Sequence, residues 1–271
     1  MPLAKKLADS LLLNLSILEL FMRKSTLLAL AALAFFSASA AQADSVNLVK
    51  NGDFEQTTNG TSKQLSQNGD TSANRTQLTD WSTQGYNFVF GPNTADTTGS
   101  NGLTLWGPNS YNGRGPQNGL TNSPTGGNFV AADWDYFPAP ITQQVSGLVA
   151  GQSYTLSFSY AAAQQVGFTG ANPINYWDVS LGNQSQQTTV LSNASQGFTG
   201  WNQASMTFTA NSSSELLSFM AKGGPTGAPP FMLLDGVSLV SAVPEPSTWG
   251  MLLGGLGLLG FMVRRRRHNA A

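Results

Sequence analysis

Asp133-Trp134-Asp135-Tyr136 alternates carboxylates with large aromatics, a pattern with two chemical uses. Paired carboxylates hydrolyse glycosides when one donates a proton and the other serves as base or nucleophile. Residues two apart on a strand share a face, however, and Asp133 and Asp135 then lie too close for the inverting geometry. The second use is recognition: a sugar ring stacks its apolar C–H face on an aromatic while its hydroxyls reach neighbouring acids. Trp134 and Tyr136, flanked by Asp133 and Asp135, are therefore the leading sugar-binding candidates. Trp106, Tyr111 and Trp201 are further aromatics outside any alternating pattern.

Other catalytic chemistries lack their parts. The chain has no cysteine and one histidine, His268, close to its last residue. Ser/His and Cys/His nucleophiles are excluded from the body, as are zinc sites built on His or Cys. Between Asp44 and Ala242 stand eleven acidic residues and five scattered basic ones, a net charge of −6. A phosphate-binding surface needs clustered Lys or Arg, so nucleic acid is not an expected partner. The expectation is a binding or structural protein and not an enzyme. A carboxylate-dependent glycoside-active enzyme is the distant alternative.

The elements that must position these residues read as all-β. In Tyr154–Tyr160, Tyr154, Leu156, Phe158 and Tyr160 alternate with Thr155, Ser157 and Ser159. Trp177, Val179 and Leu181 repeat the period, as do Met206 and Phe208, then Val237 and Leu239. Short strands with one apolar face, separated by Gly, Asn and Ser, predict two sheets packed face to face. Thr57–Thr79 and Gly91–Asn128 exceed ordinary connection lengths, which marks each as disordered or functional. Asp235 shares the parity of Val237 and Leu239, so it faces the core unless a bulge at Gly236 turns it.

The two ends of the chain carry addresses. Met22-Arg23-Lys24, the apolar stretch Leu27–Phe36 and Ala41-Gln42-Ala43 form a complete secretory signal, predicting cleavage between Ala43 and Asp44. Residues 1–21 are then surplus, from a mis-assigned start or a long basic region. At the other end, Val243-Pro244-Glu245-Pro246-Ser247 leads into the uncharged run 249–263 and the cluster Arg264, Arg265, Arg266 and Arg267. As a helix that run reaches roughly 22 Å, short of a ~30 Å hydrocarbon core, so it spans only with snorkelling or thinning. Arginines resist translocation and hold this end on the cytoplasmic side.

Two resemblances follow from these residues. The tail 243–271, with Pro244, Glu245 and Pro246 ahead of the helix and arginines, resembles the PEP-CTERM sorting signal of Gram-negative bacteria. The resemblance implies signal peptidase and exosortase as processing partners and an inner-membrane intermediate held transiently by the C-terminal helix. Delivery to the cell surface or extracellular matrix follows. The body, 44–242, resembles DUF642-like and carbohydrate-binding-module-like jelly-roll β-sandwiches with the galactose-binding-domain fold. The matching stretches are Asn47–Glu55, Trp81 in LTDWST, Gly127–Val130, ITQQVSGLVAGQSYTLSFSY and Leu234–Leu239. In those sandwiches the first and last strands lie together and often hold a structural calcium, which maps onto Glu55 and Asp235. Trp81 maps to a core position. The function expected is binding or organising extracellular polysaccharide. The alternative is a purely structural matrix protein with no defined sugar ligand.

Overall fold

The computed structural model describes residues 46–66, 70–97 and 103–242. The expected signal peptide, its cleavage between Ala43 and Asp44, the apolar run 249–263 and the sorting residues lie outside them. Ser45–Pro244 forms one compact unit.

Its strands are β1 (Lys63–Leu65), β2 (Arg75–Thr76), β3 (Asn87–Phe90), β4 (Phe129–Asp133), β5 (Ile141–Ser146) and β6 (Ser153–Gln164). There follow β7 (Asn172–Leu181), β8 (Gln184–Gln187), β9 (Leu191–Asn193), β10 (Asn202–Thr209), β11 (Ser214–Gly224) and β12 (Pro230–Ser241). They assemble into a seven-stranded sheet, β10-β6-β12-β4-β3-β1-β2, and a five-stranded one in which β9 joins β5-β11-β7-β8. The protein is all-β, and every alternating stretch singled out in the sequence lies on a strand.

The alternation dictates the first core. Leu156, Phe158 and Tyr160 of β6 point at Trp177 and Val179 of β7 and Phe219 of β11 across the gap between sheets. The Phe158 and Phe219 rings meet edge-on at 5.1 Å. Trp81 joins this core and donates its indole N–H to the carbonyls of Lys50 and Asn51.

A second core lies on the other face of the large sheet. Phe88, Phe90, Phe129, Ala131, Phe231 and Leu233 are buried there under Ala95, Leu103 and Leu105. The long β3–β4 connection thus covers this cluster with Ala95, Leu103 and Leu105, while 111–114 stay exposed. β3 and β4 are consequently buried on both faces along their whole length.

The expectation of an opening strand needs correction, and for Asp235 the bulge alternative is the one realised. The segment from Asn47 is not a strand. It lies beside β12 through single bonds, Leu48 N–H to Leu239 O at 2.8 Å and Val237 N–H to Gly52 O at 2.8 Å. Asp235 does not face the inter-sheet core. Gly236 adopts φ +63°, and the β12–β6 register shifts between Asp235 and Ser238. Leu234 and Val237 both enter the inter-sheet core, so the extra residue turns Asp235 to the outer side with Leu233.

Candidate functional site

Where β4 ends, Asp133 directs the chain. Its Oδ1 accepts the N–H of Asp135 at 3.0 Å, and its Oδ2 accepts those of Tyr136 at 2.8 Å and Phe137 at 3.0 Å. The carboxylate is buried, which pushes its pKa up, while the three backbone donors oppose the shift. The resulting turn throws Tyr136 out of the protein, 78% exposed. Tyr136 packs edge-on against Tyr86 at 5.4 Å and forms one wall of a groove of about 590 Å³. Phe168, 41% exposed, and Pro229 also line it, with Phe231 buried at its base. Burial and the neighbouring Asp133 charge raise the Tyr86 pKa, so its phenol stays a neutral donor.

Polar groups lie within the same groove. Asp135 Oδ2 accepts the Gly227 N–H at 2.7 Å, which fixes the β11–β12 loop as a wall. Its Oδ1 has no protein partner among the described residues and is left for a ligand. Gln165 also lines the groove and is tied through its backbone N–H to Pro229 O at 3.2 Å. Among the described residues no lysine or arginine lines it.

Burial corrects the expectation for Trp134. Trp134 is 8% exposed, sits in the inter-sheet core and donates its indole N–H to Asn175 Oδ1 at 3.2 Å. Its ring fills space beside Gly223, where any Cβ would approach within 2.3 Å of the indole. It therefore presents no face to a ligand. Asp133 lines the groove as well, and its three backbone bonds position Tyr136. Asp135 follows the end of β4 in a turn, so the two carboxylates do not share a strand face.

Trp106 is also buried, with its indole N–H on Phe168 O at 2.8 Å, but the Tyr111 ring meets it at 5.2 Å, tilted by 45°, and is 58% exposed. Tyr111, Asn112 and Gly113 have φ of 51°, 58° and 80°, three left-handed residues in succession. Left-handed backbone costs a side-chain-bearing residue roughly 1–2 kcal/mol, and it normally occurs singly. Trp201 is half-buried, donates to Thr121 O at 3.3 Å and meets the Phe129 ring at 5.5 Å, holding the covering connection down.

Glu55 and Asp235 do come together, on the far side of that connection. Asp235 is fully buried; Gly236 N–H donates to its Oδ1 at 2.7 Å and the Thr125 hydroxyl to its Oδ2. Burial pushes its pKa up to about 6, against the Ser123 and Thr125 hydroxyls that lower it, and the like charge of Glu55 adds to the rise. Glu55 Oε1 accepts the Asn128 N–H at 2.5 Å and packs on Gly127 so closely that a Cβ there would lie 1.9 Å away. Two repelling carboxylates and two hydroxyls, without nitrogen or sulfur donors, suit a hard cation such as calcium. Among the described residues no group of three or more Asp, Glu, His or Cys exists, so carbonyls would have to complete the shell.

Tyr86, Gln165, Phe168 and Phe231 were not singled out in the sequence. Phe231 opens the apolar run Phe231–Leu234, which reads as core, and Phe168 is one aromatic in a glycine-flanked loop. Only the fold brings them to Tyr136.

Residues 242–267 match the PEP-CTERM protein-sorting motif, which marks the chain as an exported bacterial protein. No curated protein matches the chain in sequence. Among solved structures, TmCBM61 in complex with β-1,4-galactotriose aligns at 17% identity and a TM-score of 0.41, over 73% of this chain and 100% of its own. The N-terminal cellulose-binding domain of Cellulomonas fimi β-1,4-glucanase C aligns at 20% identity and 0.29, over 56% and 95%. A family 35 carbohydrate binding module from Clostridium thermocellum aligns at 16% identity and 0.26, over 55% and 90%.

Proposed function

We propose that this exported protein binds extracellular polysaccharide without catalysis, through the groove walled by Tyr136 and Phe168. One observation carries the proposal. Asp133 is spent on three backbone hydrogen bonds whose combined effect is to hold a tyrosine ring out in solvent beside an open carboxylate oxygen. A tyrosine left so exposed gains nothing for the core, whereas stacking on a sugar face would bury it. The uncharged Gln165 and the free Asp135 oxygen supply acceptors for hydroxyls.

A glycan array with the Ser45–Pro244 unit tests this. Tyr136→Ala is expected to reduce affinity for any captured glycan at least tenfold, equivalent to about 1.4 kcal/mol. Its melting temperature should stay close to that of the wild type, because the side chain is exposed. Equal binding by the variant would move the site elsewhere. An array blank for every glycan would leave the structural matrix role.

Glu55, Asp235, Thr125 and Ser123 would hold a structural calcium, whose chemistry here is to neutralise the paired carboxylates and fasten the covering connection to β12. Exosortase would cut near Pro244-Glu245-Pro246, after the short apolar run and Arg264–Arg267 stall export. Proline disfavours helix in the residue before it, so Val243–Pro246 would be extended and open to a protease. Replacing Arg264–Arg267 by serines is expected to make unprocessed protein accumulate or slip through the membrane. Mass spectrometry of surface-associated protein decides the point, and an intact C-terminus at Ala271 would refute processing.

A further inference from the structure

We infer that Tyr111 is a second stacking platform in line with the groove, so that the ligand is an internal stretch of a long, uncharged polysaccharide and not a chain end or a small sugar. The inference rests on the groove binding sugar at all, and it adds where the chain runs and how much of it is held.

The connection between the two platforms is direct. Tyr111 lies on Trp106 at 5.2 Å, and Trp106 donates its indole N–H to the carbonyl of Phe168, the groove wall opposite the Tyr136 side. The Trp106 backbone N–H reaches Gln164 O at 2.8 Å, and Leu105 pairs with Gln165, another lining residue. Tyr111 is thus tied through Trp106 to Phe168 on the groove wall.

The support under Tyr111 is rigid. Asp96, itself buried, accepts the Asn109 N–H at 2.9 Å and its side-chain amide at 3.2 Å. The Ser110 hydroxyl donates to Gly107 O at 2.7 Å. Gly115 packs so near that carbonyl that a Cβ would come within 1.9 Å of it. A left-handed conformation maintained at Tyr111 and Asn112 by such scaffolding stores strain at a ring that stays 58% exposed beyond its contact with Trp106. Strain held by surrounding structure clusters where a protein positions a group for a ligand. The open phenol face suits the C–H face of a sugar. With no cation among the described residues of the groove wall and Asp135 within it, an uncharged chain is favoured over a uronate-rich one.

The test measures affinity against chain length by calorimetry, using β-1,4-linked gluco- and galacto-oligosaccharides from disaccharide to hexasaccharide. Polygalacturonate serves as the acidic control. Tyr111→Gly is the informative variant, because glycine accepts the left-handed backbone and removes only the ring. The wild type is expected to gain at least tenfold from the shortest to the longest bound oligomer and to leave polygalacturonate unbound. Tyr111→Gly should melt no lower than the wild type, bind the short oligomers equally and lose most of that gain. Tyr111→Phe should keep it. If Tyr111→Gly retains the length dependence, or polygalacturonate binds as well as the neutral chains, the inference is overturned while the Tyr136 groove stands. If the wild type binds none of these glycans, this inference falls, and the groove stands or falls with the glycan array. If Tyr136→Ala alone abolishes binding at every length and Tyr111→Gly changes nothing, only the second platform is lost.

Discussion

Stripping divalent cations with EDTA at pH 7.5 is expected to lower the melting temperature of the Ser45–Pro244 unit by about 5–10 °C, and millimolar calcium should restore it. A cation at a hundred times its dissociation constant stabilises the native state by roughly 2.7 kcal/mol. In a domain of this size each kcal/mol moves the melting point by about 2–4 °C. The sign of a substitution should invert with calcium. In calcium, Asp235→Asn should melt below the wild type, having lost a ligand. In EDTA it should melt at or above it, because the uncompensated charge is gone. The pH dependence of the cation-free protein follows from the same group. Its pKa is raised from 3.8 in the open chain to about 6 in the fold. The folded state therefore holds the proton more tightly; the contribution is complete below pH 3.8 and is lost as pH rises through 6. The loss amounts to about 3 kcal/mol. Calcium should cancel it above pH 6. Superimposable melts in EDTA and calcium, or an undiminished calcium response in Asp235→Ala, would show that the carboxylates hold no metal.

Trp134→Ala should be the more damaging of the two neighbouring aromatic truncations, and by stability alone. Emptying a buried tryptophan site costs about 3–5 kcal/mol. That corresponds to a fall in melting temperature of about 6–20 °C. The substitution also leaves Asn175 Oδ1 without its donor deep between the sheets. Tyr136→Ala, two residues on, should show the opposite profile, with normal stability and lost binding. Urea titration monitored by circular dichroism separates them. A Trp134→Ala protein as stable as the wild type but unable to bind glycans would return Trp134 to the ligand surface.

That contrast was legible in part. Val130, Ala132 and Trp134 share one parity, so the period-2 rule already places the indole with the core, even though its acidic neighbours suggest a ligand surface. The strands of the first core announce themselves because one face is apolar and the other polar, as in Tyr154–Tyr160. The second core does not, since burial on both faces erases the alternation. Phe88-Val89-Phe90 and Phe129–Ala132 are plain apolar runs, and such runs mark strands covered twice. Their cover was harder to recognise. Ala95, Leu103, Leu105 and Leu120 are dispersed among Gly, Asn and Thr at no fixed period, and only tertiary contact makes them one cluster. Asp235 depended on a bulge that glycine at 236 permitted but did not dictate. Glu55 came from the resemblance, and the adjacency to the closing strand that it implied holds although the opening segment forms no strand.

The β3–β4 connection leaves the sheet at Phe90 and returns at Phe129, and these two residues are paired across the ladder. Its ends are therefore side by side whatever lies between them, and the entropy of closing a loop grows only slowly with length. The segment is an exchangeable insert: it can be lengthened, shortened or rebuilt without shifting one residue of strand register. What it cannot be is deleted. A two-residue turn in its place would uncover Phe88, Phe90, Phe129, Phe231 and Leu233 as one greasy plate on an exported molecule, and such a plate invites self-association. The exposed tip that carries Tyr111 could thus be replaced while the seal beneath it keeps the sandwich unchanged.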